Sequence, residues 1–179
     1  MSETSLLPLP PAPMTRDSLL EWLGGCGFDA VTKDHEPVFT VDESQALRGT
    51  LAGGHTKNLF LKDKKGNYFL LTAQEDSEVN LKTLHKLLGA SGRLSFGSAE
   101  KMEEYLGVTP GSVTAFGVLN DRAGAVRFAM DARLMAHDKL NCHPMTNAAT
   151  TTIARDDLLT VVRASDHEPL IVDLDAPTD

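Results

Sequence analysis

Apolar and polar positions alternate between helical and strand periods along most of the chain. Leu19, Leu20 and Leu23 recur at helical spacing after Thr15, which can cap the first free amides, and the run stops at Gly24-Gly25. Ala30 to Asp34 predicts a short strand, and Asp42 can cap a short helix over Glu43 to Arg48. NLFLKD (58–63) and NYFLLTA (67–73) are rich in Leu, Phe and Tyr and flank Lys64-Lys65-Gly66, which predicts a hairpin. Asn80 can cap a helix carrying Leu81, Leu84, Leu87 and Leu88, closed by Gly89. Ser98 can cap another, with Met102, Tyr105 and Leu106 on one side and Gly107 after it. SVTAFGVL (112–119) and AVRFAM (125–130) predict a second strand pair around the turn from Asn120 to Gly124. TTTI (150–153) predicts a strand, Arg155 to Arg163 a helix, and LIVDL (170–174) a final strand. Helices and strands are interspersed, and hairpin signals are too frequent for an all-parallel sheet. The expected fold is a single α/β (α+β) domain, a mixed, mostly antiparallel β-sheet surrounded by helices.

Composition narrows this picture. The chain has 179 residues, 41% hydrophobic and 23% charged, which suits one globular domain that needs no disulfide or metal staple. Pro8, Pro10, Pro11 and Pro13 mark residues 1–14 as a mobile leader, 15–174 as the domain and 175–179 as a polar tail. Cys26 and Cys142 form no framework and read as free thiols of a cytoplasmic protein. The first residues have no basic n-region with an apolar core, and no apolar run is long enough to span a bilayer. The net charge of −8 argues against a sequence-blind nucleic-acid coat, and the absence of a helix-turn-helix pattern argues against DNA. The charge is uneven: −5 over residues 1–50, +3 over 51–101 and −6 over 102–179.

Common catalytic patterns are missing. There is no G-x-S-x-G elbow, no H-E-x-x-H, no Walker A loop and no G-x-G-x-x-G, and His137 and His143 have no metal spacing. Three segments carry the remaining polar chemistry. In GGHTKNLFLKDKKG (53–66), the glycines permit close backbone approach, and His55, Thr56, Lys57 and Asn58 stand at the mouth of an apolar strand. Alternation directs Thr56 and Asn58 to one face and His55 and Lys57 to the other. Lys57 there suits a phosphate, or is a solvated edge-strand lysine. LGVTPGSVTAFG (106–117) suits either a pocket wall or a simple helix cap and turn. NCHPMTNAATTT (141–152) combines a polar His143, a rigid Pro144 and Asn147; Cys142 beside His143 reads as a buried, inert thiol.

Taken together, Gly54 to Leu61, Leu106 to Gly117 and His143-Pro144-x-x-Asn147 resemble the YbaK/prolyl-tRNA-synthetase-associated editing domain family, in particular its freestanding members. The similarity runs from about Thr15 to Leu174. It implies an enzyme that hydrolyses the ester of a mischarged aminoacyl-tRNA in trans, with alanyl-tRNA(Pro) as the expected substrate. A synthetase pocket built for proline cannot exclude the smaller alanine by size, so a second sieve is needed. Another mischarged tRNA, such as cysteinyl-tRNA(Pro), or a catalytically silent tRNA- or synthetase-binding module are the alternatives. The resemblance implies Lys57 and His143 as the catalytic pair, Lys57 contacting the terminal adenosine phosphate or aminoacyl end. His55, Thr56, Asn58, Gly107, Pro110, Gly111, Ser112, Val113, Phe116, Gly117 and Asn147 would line the substrate pocket. Lys62, Lys64 and Lys65, in the basic segment, are candidate contacts to tRNA. The expected partners are the acceptor end of tRNA and prolyl-tRNA synthetase, with no membrane, no DNA, no metal and no cofactor.

Overall fold

The hairpin over residues 58–73 is the centre of the sheet. β2 (Gly54–Lys62) and β3 (Tyr68–Gln74) pair antiparallel from Thr56↔Gln74 to Lys62↔Tyr68. Residues 6–37 and 53–178 are described by this structure, a computed structural model; the helix expected over Glu43 to Arg48 lies outside them. Around the hairpin lie β1 (Val31–Asp34), β4 (Ser95–Phe96), β5 (Val126–Asp131), β6 (Lys139–Cys142), β7 (Ala149–Ala154) and β8 (Leu170–Val172). The strand order is β1-β7-β6-β2-β3-β5-β8, with β4 paired to β2. Pairings β1–β7, β6–β7, β2–β3 and β2–β4 are antiparallel, and β2–β6, β3–β5 and β5–β8 are parallel. The mixed sheet with a small antiparallel majority is the class the sequence predicts.

Strand alternation divides the core between two faces. Phe60, Leu70, Phe128, Met130, Leu140 and Ile153 meet α1 (Arg16–Gly25), α3 (Ala99–Leu106) and α4 (Arg155–Arg163) through Leu19, Trp22, Leu106, Leu158 and Val162. On the other face, Leu61, Phe69, Leu71, Ala129 and Val172 pack under Leu84 and Leu88 of α2 (Leu84–Leu88) and Leu94. Each such leucine or phenylalanine contributes about 1.5–3 kcal/mol on burial. The caps are those the sequence predicts at three places. Thr15 accepts from Ser18 N in a capping box, Ser98 accepts from Lys101 N, and Gly107 closes α3 in the left-handed region.

Two elements differ: the helix expected from Asn80 begins only at Leu84, with Thr83 at its N-terminus and Leu81 ahead of it, and the second strand pair does not form. Residues 112–119, predicted as a strand, lead instead into a 3₁₀ helix over Ala115–Asn120, and Val126–Asp131 is not a hairpin partner of that segment but pairs parallel with β3. Thr114 Oγ1 caps the turn by accepting from Phe116 N at 3.3 Å. Ala115 to Leu119 are all buried, so the segment shows no in-out alternation, and an apolar run buried all round carries no period that separates helix from strand. Residues 6–14 touch the domain at several points: Trp22 Nε1 donates to the Leu7 carbonyl at 3.0 Å, Arg122 Nη2 to that of Pro10 at 2.6 Å, and Met14 is buried.

Candidate active site

The start of β2 is pressed against β6. A Cβ on Gly53, whose φ is +94°, would lie 2.6 Å from the Lys139 carbonyl oxygen, and one on Gly54 would lie 2.6 Å from the His137 ring. The two glycines therefore permit the register Gly54↔Leu140 and His55↔Asn141. Thr56 Oγ1 then donates to the Asn141 carbonyl at 2.7 Å and lies 3.8 Å from Cys142 Sγ.

The sheet splits immediately beyond. β2–β6 pairing stops at His55↔Asn141, and β2–β4 pairing begins at Leu61↔Phe96. The hydrogen bonds Glu75 N to His55 O and Asp63 N to Asn67 O show that odd-numbered residues of β2 bond to β3. Even-numbered residues therefore direct their peptide groups to the opposite edge, as Phe60 O does when it accepts from Gly97 N at 2.9 Å. β6 and β4 both use that edge. Between them the N–H and C=O of Asn58 face an opening that no strand crosses among the described residues, and His143 follows directly on the last residue of β6.

Side chains on either side of this opening are fixed by neighbours. On one face, Lys57 Nζ donates to the Ser77 carbonyl at 2.5 Å. Ser77 is itself held, its hydroxyl donating to Asp131 Oδ2 at 2.5 Å, and Gln74 N donates to the same oxygen at 3.0 Å. Arg133 N bonds the other carboxylate oxygen at 3.0 Å. Lys57 lies in an open depression of about 640 Å³ with Asn58, Leu59, Asp76, Ser77, Glu78, Val79 and Phe96. On the opposite face, Asn58 Nδ2 donates to the Val113 carbonyl at 3.2 Å, and Asn58 Oδ1 accepts from Thr72 Oγ1 at 2.6 Å.

His143 is half-buried, and its Nδ1 is 3.2 Å from the Ala149 carbonyl. A carbonyl only accepts, so Nδ1 carries the proton and Nε2 is the basic nitrogen of the neutral ring. Burial pushes the His143 pKa below its ordinary value against the pull of that carbonyl, and nearby His35 acts in the same direction as burial. The Cys142 thiol, fully enclosed, is pushed up to about 12 by burial. It is no thiolate at neutral pH, as the sequence suggests.

The other expected site residues fall into distinct places. His55 is half-buried on the Lys57 face, and Asn147 is half-buried in the turn between β6 and β7. Pro110 and Gly111 form the exposed tip of the 107–114 loop, Ser112 is buried and Val113 is half-buried. Gly107 and Gly117 serve packing: a Cβ would lie 2.5 Å from Asn120 Nδ2 at the first and 3.1 Å from Leu106 Cβ at the second. Phe116 is fully buried in the core. Lys62, Lys64 and Lys65 are exposed at the far end of the hairpin, with Lys62 about 17 Å along the strand from Lys57. The depression around Lys57 is lined by neither the 107–117 loop nor His143. Lys57 and that loop flank the opening from opposite faces. Ser77, Asp131 and Phe96 were not visible in the sequence as site residues. Asp131 alone left a trace, a carboxylate ending the apolar run AVRFAM.

The break in strand pairing beside the tethered Lys57 ammonium, with the half-buried His143 at the end of β6, is the candidate site. The profile of the aminoacyl-tRNA editing domain matches residues 35–161. The chain is 40% identical over 164 residues to the mouse (Mus musculus) prolyl-tRNA synthetase associated domain-containing protein 1, covering 89% of this chain and 96% of that one. It is 36% identical over 133 residues to the prolyl-tRNA editing protein ProX of Acetoanaerobium sticklandii, covering 74% and 80%. The crystal structure of a proposed trans-editing enzyme for prolyl tRNA synthetase superposes with a TM-score of 0.64 at 19% identity, covering 88% of this chain and 93% of that one, which shows the shared fold. The chain belongs to the aminoacyl-tRNA editing domain family, whose chemistry is hydrolysis of an aminoacyl ester. No helix among the described residues is long and apolar enough to cross a membrane.

Proposed function

We propose that this protein hydrolyses mischarged tRNA(Pro) in trans in the cytoplasm, and that alanine is the amino acid it removes. The observation that carries this reading is the opening in the sheet at Lys57-Asn58, with His143 at the end of β6, in a chain of the editing family. Water attacks the ester carbonyl carbon, the bond from that carbon to the ribose oxygen breaks, and the ribose oxygen leaves with a proton. The products are free alanine and tRNA. The ester is already activated, so positioning and polarisation supply the catalysis and no protein nucleophile is needed.

In this reading Lys57, steadied by Ser77, places the terminal phosphate or the aminoacyl end. His143 offers its Nε2 lone pair to the attacking water or to the free ribose hydroxyl. The Asn58 peptide and the 107–114 loop close around the aminoacyl group, and Asn58 links them through its bond to Val113. Prolyl-tRNA synthetase is the partner that supplies the error. The test is deacylation of purified alanyl-, cysteinyl- and prolyl-tRNA(Pro). Alanyl-tRNA(Pro) should be hydrolysed fastest, with Lys57→Ala slower by about 100-fold or more. Preference for the cysteinyl ester would reassign the substrate, and three intact esters would overturn the reading.

A further inference from the structure

Phe96 is an exposed aromatic on a firmly held backbone. Its backbone pairs with Leu61 on the short strand β4, and the next residue, Gly97, donates to the Phe60 carbonyl at 2.9 Å. Gly97 lies so close to β2 that a Cβ there would approach the Phe60 ring to 2.5 Å. The backbone at Phe96 is thus pinned from both sides of the residue. Phe96 is nevertheless 61% exposed, while its cross-strand partner Leu61 is fully buried. An aromatic ring open to water on a pinned backbone suits an arriving flat group, because the backbone loses little conformational entropy when that group stacks.

Its surroundings indicate which flat group. Leu61, Leu59 and Lys57 follow one another on the same face of β2, so Phe96 and Lys57 belong to one depression, with Leu59 and Val79 completing its apolar wall. About 13 Å of strand separates Lys57 from Leu61, the residue opposite Phe96. Asp76 and Glu78 line the same depression. Two carboxylates repel a run of duplex phosphates. They accept hydrogen bonds from ribose hydroxyls and base amino groups, which a single unpaired end presents. An aromatic face, one cation and hydroxyl acceptors together match the unpaired end of an RNA strand.

We propose that Phe96 is the platform on which the unpaired 3′-terminal base of the tRNA stacks, which holds the acceptor end over Lys57. This rests on the reading of the chain as a tRNA deacylase. The probe is uncharged tRNA(Pro) with 2-aminopurine as its terminal base, whose emission is quenched by stacking. Wild type should quench it on binding. Phe96→Ala should lose the quench and weaken binding about 5- to 100-fold, whereas Phe96→Trp should keep both. The loss in Phe96→Ala should persist at high salt, unlike that of Lys57→Ala.

Unchanged quench and affinity in Phe96→Ala, with its circular dichroism intact, would overturn the proposal. So would selective loss of prolyl-tRNA synthetase binding in that variant with tRNA binding intact, because the ring would then meet a protein. If wild type hydrolyses mischarged tRNA and Phe96→Ala does so with the same KM, the stacking role falls and the deacylase reading stands. If wild type neither binds nor hydrolyses the tRNA, both fall.

Discussion

His143 shows how one residue's surroundings set its chemistry. The Ala149 carbonyl fixes the proton on Nδ1, and burial, aided by His35, holds the ring neutral. Its folded pKa lies below the ordinary value of about 6.5, so the unfolded chain binds the proton more readily than the folded one. The stability tied to the neutral ring is complete above about pH 6.5 and is lost as pH falls below it. The urea midpoint should therefore drop between pH 7.5 and 5, and His143→Asn should drop less steeply. Parallel pH profiles for the two proteins would contradict this. Lys57 makes the same kind of contact, donating to the neutral Ser77 carbonyl at 2.5 Å, which orients the ammonium without cancelling its charge. Ser77 lines the depression and holds this lysine, Asp131 holds Ser77, and nothing in the sequence spacing of residues 57, 77 and 131 announces their meeting.

Among the elements, β2 carries both structure and site. Its glycine start is the testable weak point. Gly53 and Gly66 both have positive φ, +94° and +80°, but a Cβ on Gly53 would meet the Lys139 carbonyl, whereas one on Gly66 would meet nothing within 4 Å. Gly66→Ala should cost about 1 kcal/mol and leave activity intact. Gly53→Ala should cost about 1–3 kcal/mol more and impair deacylation, because relief requires β2 to move off β6. Equal urea midpoints for the two variants would show that the β2–β6 approach is not tight. The turn itself is secured by Asp63, which accepts from the backbone N–H groups of Lys65, Asn67 and Ser91 and from the Asn67 side chain. Burial acts to raise its pKa, and these hydrogen bonds outweigh it and hold the carboxyl at about 2.

Much of this was legible in advance. Alternation plus a Lys-Lys-Gly turn defines the 58–73 hairpin, and the side chains of Thr15 and Ser98 mark their helix starts. Arg155 to Arg163 is helical over the residues that its pattern predicts. The 3₁₀ helix at Ala115–Asn120 was hidden by uniform burial, and β4 and β6 were too short to show a period. The opening beside Lys57 arises only when distant strands add to the same edge of β2, which no local pattern encodes.

At the scale of the molecule, charge and fold divide the work. A chain of net charge −8 carries its one positive stretch over 51–101, which includes β2, the turn and α2. In the proposed function, that stretch supplies the attraction for RNA and the acidic remainder limits grip elsewhere. The double variant Lys64→Glu/Lys65→Glu should weaken tRNA binding and lower the salt dependence of log K by up to about two in slope, with stability little changed because both residues are exposed. An unaltered salt slope would make the hairpin tip a solvated turn with no part in binding. The most direct test of the central claim is the rate of alanyl-tRNA(Pro) deacylation by wild type and by folded Lys57→Ala. The account predicts rapid hydrolysis by the first and a rate lower by about 100-fold or more for the second. Equal rates, or an ester left intact by wild type, would contradict it.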